Sequence, residues 1–216
     1  LDKELEKRDL RFTRYADDCI IVVKSEKAAN RVMETITRFI EKKLGLKVNV
    51  TKSKVARPDQ IKYLGFGFYT TKTGIIKPKP HLKSIQKFKR KLKQLTKRSW
   101  SISLENRIIK LNQVIRGWIN YFRIADMKWV MTNIGQHLRR IRCIIWKQWK
   151  TCRHRHECLL KLGVSKEKAK RTAYSRASYW HNSMSIALHV AISNERLKRK
   201  GLVMPLDHYL KVHTLI

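Results

Sequence analysis

Residues 11–28 read RFTRYADDCIIVVKSEKA, and they set two adjacent carboxylates, Asp17 and Asp18, between two short apolar runs. The flanks, LRFTR at 10–14 and CIIVVK at 19–24, are rich in branched and aromatic side chains, the pattern of a β-hairpin closed by a polar turn. Neighbouring strand residues face opposite sides, so both carboxylates serve one metal only if the turn redirects one of them. Mg²⁺ takes oxygen ligands, usually one or two carboxylates with substrate phosphates and water. A two-metal site of this kind stabilises the attacking and leaving oxygens of phosphoryl transfer. One hairpin Asp and a second carboxylate from another strand are the minimum it requires. The motif alone carries little, since an Asx turn in a hairpin reads the same way.

Beyond the hairpin the patterns come in a definite order. Ser25 is an N-cap for a helix to about Leu44, with Ala29, Val32, Met33, Ile36, Phe39 and Ile40 at helical spacing and Gly45 as its stop. Two further strands are expected, LKVNV and IKYLGFGFYT, with Thr73-Gly74 as a turn and Pro78 and Pro80 as punctuation. Past residue 80 the pattern becomes helical. A helix over 81–98 carries Leu82, Ile85, Phe88, Leu92 and Leu95 on one stripe. A second starts at a Ser103 cap and lines up Leu104, Ile108, Leu111, Ile115, Trp118, Ile119 and Phe122. A third is expected from about Lys128 to His154, a fourth from a Ser165 cap, and shorter ones over 183–200 and 205–212, with Gly201 as a stop. The fold class expected is α+β: antiparallel hairpins with a helix, then a basic all-α bundle.

Charge divides the chain at the same place. Residues 1–80 hold 19 basic and 10 acidic side chains, whereas residues 81–216 hold 31 and 6. An excess of +34 self-repels in a free globule, and a polyanion offsets it. Nucleic acid, with its regular phosphates, is the leading partner. No apolar run approaches the ~20 residues of a bilayer-spanning helix, which sets membrane insertion aside. The four cysteines form no C-x-x-C pair, and no signal peptide opens the chain, which together point to a reducing cytosol. Leu1 stands in a charged segment rather than at a start codon, so the chain reads as part of a longer protein.

Three blocks, RYADDCIIVVKS, KLGLKVNVTKSK and IKYLGFGF, resemble in order the last blocks of a reverse transcriptase palm. LENRIIKLNQVIRGWINYF is similar to the thumb, or maturase-specific domain X, of group II intron-encoded proteins, and ISNERLKRKGLVMPLDHYL to their C-terminal end. The resemblance implies a partial palm at 1–80, thumb/domain X at 81–160 and a helical extension of domain X at 161–216. It implies an RNA-directed DNA polymerase and splicing maturase, acting as a cytoplasmic ribonucleoprotein on intron RNA and a DNA target or primer, with Mg²⁺ as cofactor and Mn²⁺ as its substitute. Asp17 would be the direct metal ligand and Asp18 a secondary one. Tyr15 and Ala16 would approach primer–template and nucleotide, and Leu64-Gly65-Phe66 would form the primer grip. Lys52, or Lys54 beside it, would act on the leaving pyrophosphate. The family's other catalytic aspartate belongs to an earlier palm strand that these residues do not match. The chain by itself is therefore expected not to polymerise DNA.

In the basic half, backbone contacts to RNA are expected from Lys83, Lys87, Lys89, Arg90, Lys91, Lys93, Lys97 and Arg98, then Arg107, Lys110 and Arg116. Almost no acids are interleaved to pair with them. Trp118, Tyr121 and Phe122 follow the apolar stripe and read as core, whereas Trp146, Trp149, Tyr179 and Trp180 are open between packing and base stacking. TCRHRHEC at 151–158 lacks zinc-ligand spacing and reads as a basic helix end. The competing reading of the whole chain is a free-standing maturase-like RNA-binding protein without polymerase activity. A retron or diversity-generating reverse transcriptase would share the palm but lack the X-like thumb and tail.

Overall fold

The computed structural model describes residues 1–213; the last three positions of the expected C-terminal extension lie outside them. The chain divides into two compact units, Leu1–His81 and the remainder from Leu82. The first is α+β and the second all-helical.

The first unit opens with a helix where a plain polar segment is expected: α1 (Asp2–Lys7) buries Leu5 completely. Its side chains reach the hairpin, because both oxygens of Asp2 take the Arg14 guanidinium fork at 2.6 Å. β1 (Arg11–Tyr15) and β2 (Asp18–Val22) then pair antiparallel, with Tyr15 opposite Asp18. α2 (Glu26–Leu44) forms where the sequence places it: Ser25 Oγ accepts from Ala28 N–H, and Gly45 ends the helix at φ +64°, a conformation that costs glycine nothing. β3 (Phe66–Thr70) and β4 (Ile76–Pro80) form a second hairpin around the Thr73-Gly74 turn.

Two expectations fail here. LKVNV is not a strand: residues 46–50 are irregular, and Leu46 and Val50 stand 60% and 81% exposed. Strand propensity is realised only against a partner strand, and among the described residues each sheet has just two strands. Pro78 and Pro80 do not punctuate the chain but lie within β4, the outer strand of a pair, where a missing N–H is tolerated. Of the buried apolar side chains described, only Leu5, Ile36 and Pro80 belong to this unit.

The second unit carries the main core. α3 (Leu82–Leu95) buries Phe88, Leu92 and Leu95. α4 (Leu104–Tyr121), capped by Ser103 Oγ on Asn106 N–H, buries Ile108, Leu111, Ile115 and Ile119. Phe88 stacks on Trp118 with centroids 4.5 Å apart, and Trp118 meets the buried Phe122 at 4.6 Å. Tyr121 departs from the expected stripe and is exposed. The helix expected over 128–154 is broken into α5 (Lys128–Thr132), α6 (Gln136–Gln148) and the start of α7 (Cys152–Lys161). Thr151 makes the second break, its hydroxyl accepting from His154 N–H. α8 (Lys166–Ala173) begins after Ser165, though without a side-chain cap bond. The segment over 183–200 is likewise split, with α9 (Tyr179–Asn182) before it, then α10 (Ile186–Ala191) and α11 (Asn194–Arg199). Gly201 at φ +86° stops α11 before α12 (Pro205–His213). The tail is tied to α4 by Asn112, which donates to Gly201 O at 2.6 Å and accepts from Val203 N–H at 2.8 Å. No helix among the described residues is long and apolar enough to cross a membrane.

Candidate sites: an acidic turn and a basic helical face

Between Tyr15 and Asp18 the chain reverses in two residues, Ala16 and Asp17. A loop this short needs a left-handed residue to match the strand twist, and Ala16 supplies it at φ +52°. An alanine held there costs on the order of 1 kcal/mol. Arg14 steadies the turn, donating from Nη1 to Ala16 O at 2.8 Å while its Nε and Nη2 hold Asp2. That ion pair draws the Asp2 carboxyl below its usual range, first through the hydrogen bond from Arg14. Tyr15, Asp17 and Asp18 are all exposed, Tyr15 by 65%. The arginine nearest in sequence is thus committed to Asp2, and no ion pair to either turn carboxylate is found among the described residues.

A second tight turn lies within electrostatic reach. Tyr63 and Phe66 exchange both backbone hydrogen bonds, at 3.0 and 2.8 Å, around Leu64 (φ +48°) and Gly65 (φ +84°). Two successive positive φ values are the type I′ pattern. The expected grip strand therefore starts only at Phe66; Leu64 and Gly65 form the turn that precedes it. Burial raises the Tyr63 phenol above its ordinary range, and the charges of Cys19 and Asp18 add to the effect. The acidic turn and this one accordingly share an electrostatic environment. Gly67 is less demanding than its strand position suggests, since a Cβ there would meet His81 at an ordinary 3.6 Å.

Lys52 is exposed and follows an Asn49 turn whose side chain accepts from Lys52 N–H at 3.2 Å, whereas Lys54 Nζ donates to Gln60 O. Neither lysine is paired with Asp17 or Asp18. Among the described residues no three His, Cys, Asp or Glu side chains converge on a common point, in TCRHRHEC or elsewhere. Cys158 Sγ and His154 Nε2 approach to 3.6 Å without a third ligand.

On the second unit, Lys83, Lys87, Lys89, Arg90, Lys91, Lys93, Lys97, Arg98, Lys110 and Arg116 are all exposed. α3 contains no Asp or Glu to neutralise its share. Arg107 differs from the expectation: it is 1% exposed and faces inward. Its guanidinium donates to the carbonyls of Leu95, Lys97 and Trp100 and lies over the Trp100 ring at 5.2 Å. Leu95 O is a carbonyl left over where α3 ends, and a cation there also meets the negative end of the helix dipole; Lys97 O and Trp100 O lie in the connection that follows. Arg107 is structural. Sequence alone missed it because a charge on an amphipathic helix looks the same whichever way it turns.

Trp146 is buried and meets Trp149 edge-on at 5.6 Å, so packing wins for this pair. Trp180 keeps 38% of its surface exposed, with Arg139 over its ring at 3.6 Å. Of the four aromatics left open by the sequence, it is the most exposed.

Two family models match the chain, in the order that the geometry suggests. Reverse transcriptase (RNA-dependent DNA polymerase) covers residues 1–68, and the group II intron, maturase-specific domain covers residues 85–163. No curated protein matches it. With the end of a reverse transcriptase domain followed by a maturase-specific domain on one polypeptide, the chain belongs to the reverse transcriptase–maturases encoded by group II introns.

Proposed function

We propose that the Tyr15–Asp18 turn supplies carboxylates to the metal centre of an RNA-directed DNA polymerase. We further propose that the exposed cations of α3 and α4 hold group II intron RNA and the template–primer duplex. The observation that carries the first part is a two-residue reversal presenting Asp17 and Asp18 to solvent while Arg14 is held by Asp2. Two exposed carboxylates suit Mg²⁺, which keeps several waters and takes substrate phosphates as further ligands. The ion, when bound, lowers the charge cost of nucleotidyl transfer. Asp17 is the direct ligand in this reading and Asp18 assists from the start of β2. The Leu64-Gly65 turn and Phe66 steady the primer end, the kind of orientation that supplies several kcal/mol of catalysis. Lys52 is better placed than Lys54 to act on pyrophosphate, because Lys54 is engaged with Gln60 O.

The cations of the second unit bind phosphates, so affinity for RNA falls steeply with salt. A-form RNA is read mainly by shape, phosphate and 2′-hydroxyl. A chain carrying the complete reverse transcriptase domain should extend a primer in Mg²⁺ and lose extension by at least 100-fold on Asp17→Asn. The 216 residues alone should not extend it, because the family's other catalytic aspartate belongs to an earlier palm strand that these residues do not match. Extension surviving Asp17→Asn would refute the assignment. RNA retention without any extension in the longer chain would favour the RNA-binding splicing factor instead. Equal affinity for a group II intron and an unrelated structured RNA would reduce the basic face to non-specific attraction.

A further inference from the structure

Where α3 runs out and α6 passes, Thr96, Arg98, Arg140, Cys143 and Trp180 line a cavity of about 230 Å³. That is room for several waters at their liquid volume, more than a lone ion requires. Trp180 supplies its aromatic wall. Arg139 fixes the ring, its guanidinium 3.6 Å from the centroid and its donors on Trp180 O (2.8 Å) and Ser183 Oγ (3.3 Å). The indole is thus held before any ligand arrives and still keeps over a third of its surface exposed. Arg140 lies 5.5 Å from the same ring, and Arg98 stands 5.8 Å from Tyr179. No carboxylate lines the cavity. Arg140 is also a wall of a neighbouring cavity of about 160 Å³, which adds Lys89, Arg90 and Lys93 from α3. One arginine therefore joins an aromatic slot to the basic face.

Cations suited to phosphates, a fixed aromatic ring and an open space beside it are the parts of a site for an unpaired nucleotide. We propose that this cavity captures one extrahelical RNA nucleotide, its base stacked on Trp180 and its phosphate on Arg98 and Arg140. The adjoining backbone continues toward Lys89, Arg90 and Lys93. The proposal rests on the RNA-binding reading above and adds a feature to it: preference for a bulge or loop over continuous duplex. Surface lysines alone would bind both alike.

The test uses the full chain and a short RNA hairpin carrying a single bulged adenosine, its fully paired counterpart, and the same bulge made abasic. Fluorescence anisotropy at fixed salt should show the bulged hairpin bound about ten-fold tighter than the paired one, with the abasic bulge losing that advantage. Trp180→Leu should bring the preference to near one, and Trp180→Phe should retain most of it. Arg98→Gln with Arg140→Gln should weaken both hairpins and flatten the salt dependence. Circular dichroism and thermal melting establish that each variant is folded, and the abasic arm needs no protein change at all. If the wild type binds neither RNA, the RNA-binding reading fails and this proposal with it. If it binds both equally, or if Trp180→Leu keeps the preference, the nucleotide site alone is overturned.

Discussion

Arg107 is the sharpest place to separate a charge that binds RNA from a charge that holds the fold. Replacing it with methionine keeps the aliphatic stem and removes the guanidinium. Leu95 O, the buried contact, then loses its donor, whereas the part-buried Lys97 O and Trp100 O keep a backbone donor each, from Trp100 N–H at 3.4 Å and Ile102 N–H at 3.0 Å. An unsatisfied buried carbonyl costs about 1–3 kcal/mol, and the two outer ones lose only a second hydrogen bond. The expected loss is therefore about 2 kcal/mol, on the order of 30-fold in the folded-to-unfolded ratio. Arg107→Lys keeps the charge but offers one nitrogen to three acceptors, and should recover about 1 kcal/mol of that. All six tryptophans lie beyond residue 81, so urea unfolding followed by their fluorescence reports on the second unit alone. The control is Lys91→Met on the exposed face of α3, which should leave stability within about 0.5 kcal/mol while weakening RNA binding. At low denaturant the folded Arg107→Met protein should bind RNA within about two-fold of wild type, since a charge not touching phosphate is worth little in screened solvent. Unchanged stability together with weakened RNA binding would refute the structural role.

Other outcomes rest on strain, burial and ties between elements. Ala16→Gly relieves a left-handed alanine and should stabilise the first unit by about 0.5–1 kcal/mol; a loss in hydrogen-exchange protection of β1 and β2 would contradict it. Burial lowers the pKa of His137, His189 and His208 in the folded state. The folded protein thus binds fewer protons than the unfolded chain near the ordinary histidine value, so stability is full above about pH 6.5 and falls as pH drops below it. Urea midpoints at pH 7.5 and 5.5 check this, and a midpoint unchanged by pH, or identical pH slopes for wild type and His137→Leu, would contradict it. Asn112→Ala cuts both bonds to the segment at 201–203 and should cost about 2 kcal/mol, with protection from exchange lost first in α12; uniform loss along the chain would argue against a local tie.

How much of the fold was legible depended on whether the signal was local. The Ser25 cap, the Gly45 stop and the Ser103 cap each satisfy backbone groups within a turn, and all three stand where their residues alone place them. α1 was not legible, because its fold-defining features are a single buried leucine and an ion pair to Arg14, twelve residues on. LKVNV failed for the converse reason: its alternation is real, but a strand is made by its partner. The Leu64-Gly65 turn hid inside a strand-like run because nothing in IKYLGFGF marks leucine as left-handed. The acidic turn was legible in kind but not in detail, since the Arg14 fork and the Ala16 strain appear only in three dimensions.

The division of labour between arginine and lysine was invisible in composition, and it bears on what the large positive charge means. Arg107 serves the end of α3. Arg155 donates to Trp149 O at 2.8 Å, where α6 stops. Arg196 donates to Leu162 O and Ala191 O, at the ends of α7 and α10, and Arg142 to Ile192 O just beyond α10. A unit of short helices has many leftover terminal carbonyls, and a rigid fork with five donors can satisfy several of them at once. The guanidinium is also more weakly hydrated than ammonium and tolerates the partly buried sites this requires. Lysine, with a compact and strongly hydrated charge, stays outside: Lys87, Lys89, Lys91 and Lys93 are all exposed on α3. The excess of +25 beyond residue 80 therefore includes two distinct populations. One is structural and would persist in a bundle that never met RNA. The other, the exposed lysines of α3, has no acidic partner on its own helix and suits a polyanion. Lysine-to-glutamine changes on α3 should accordingly reduce RNA affinity while leaving stability unchanged or raising it as repulsion is relieved. Arginine changes at the helix ends should do the reverse.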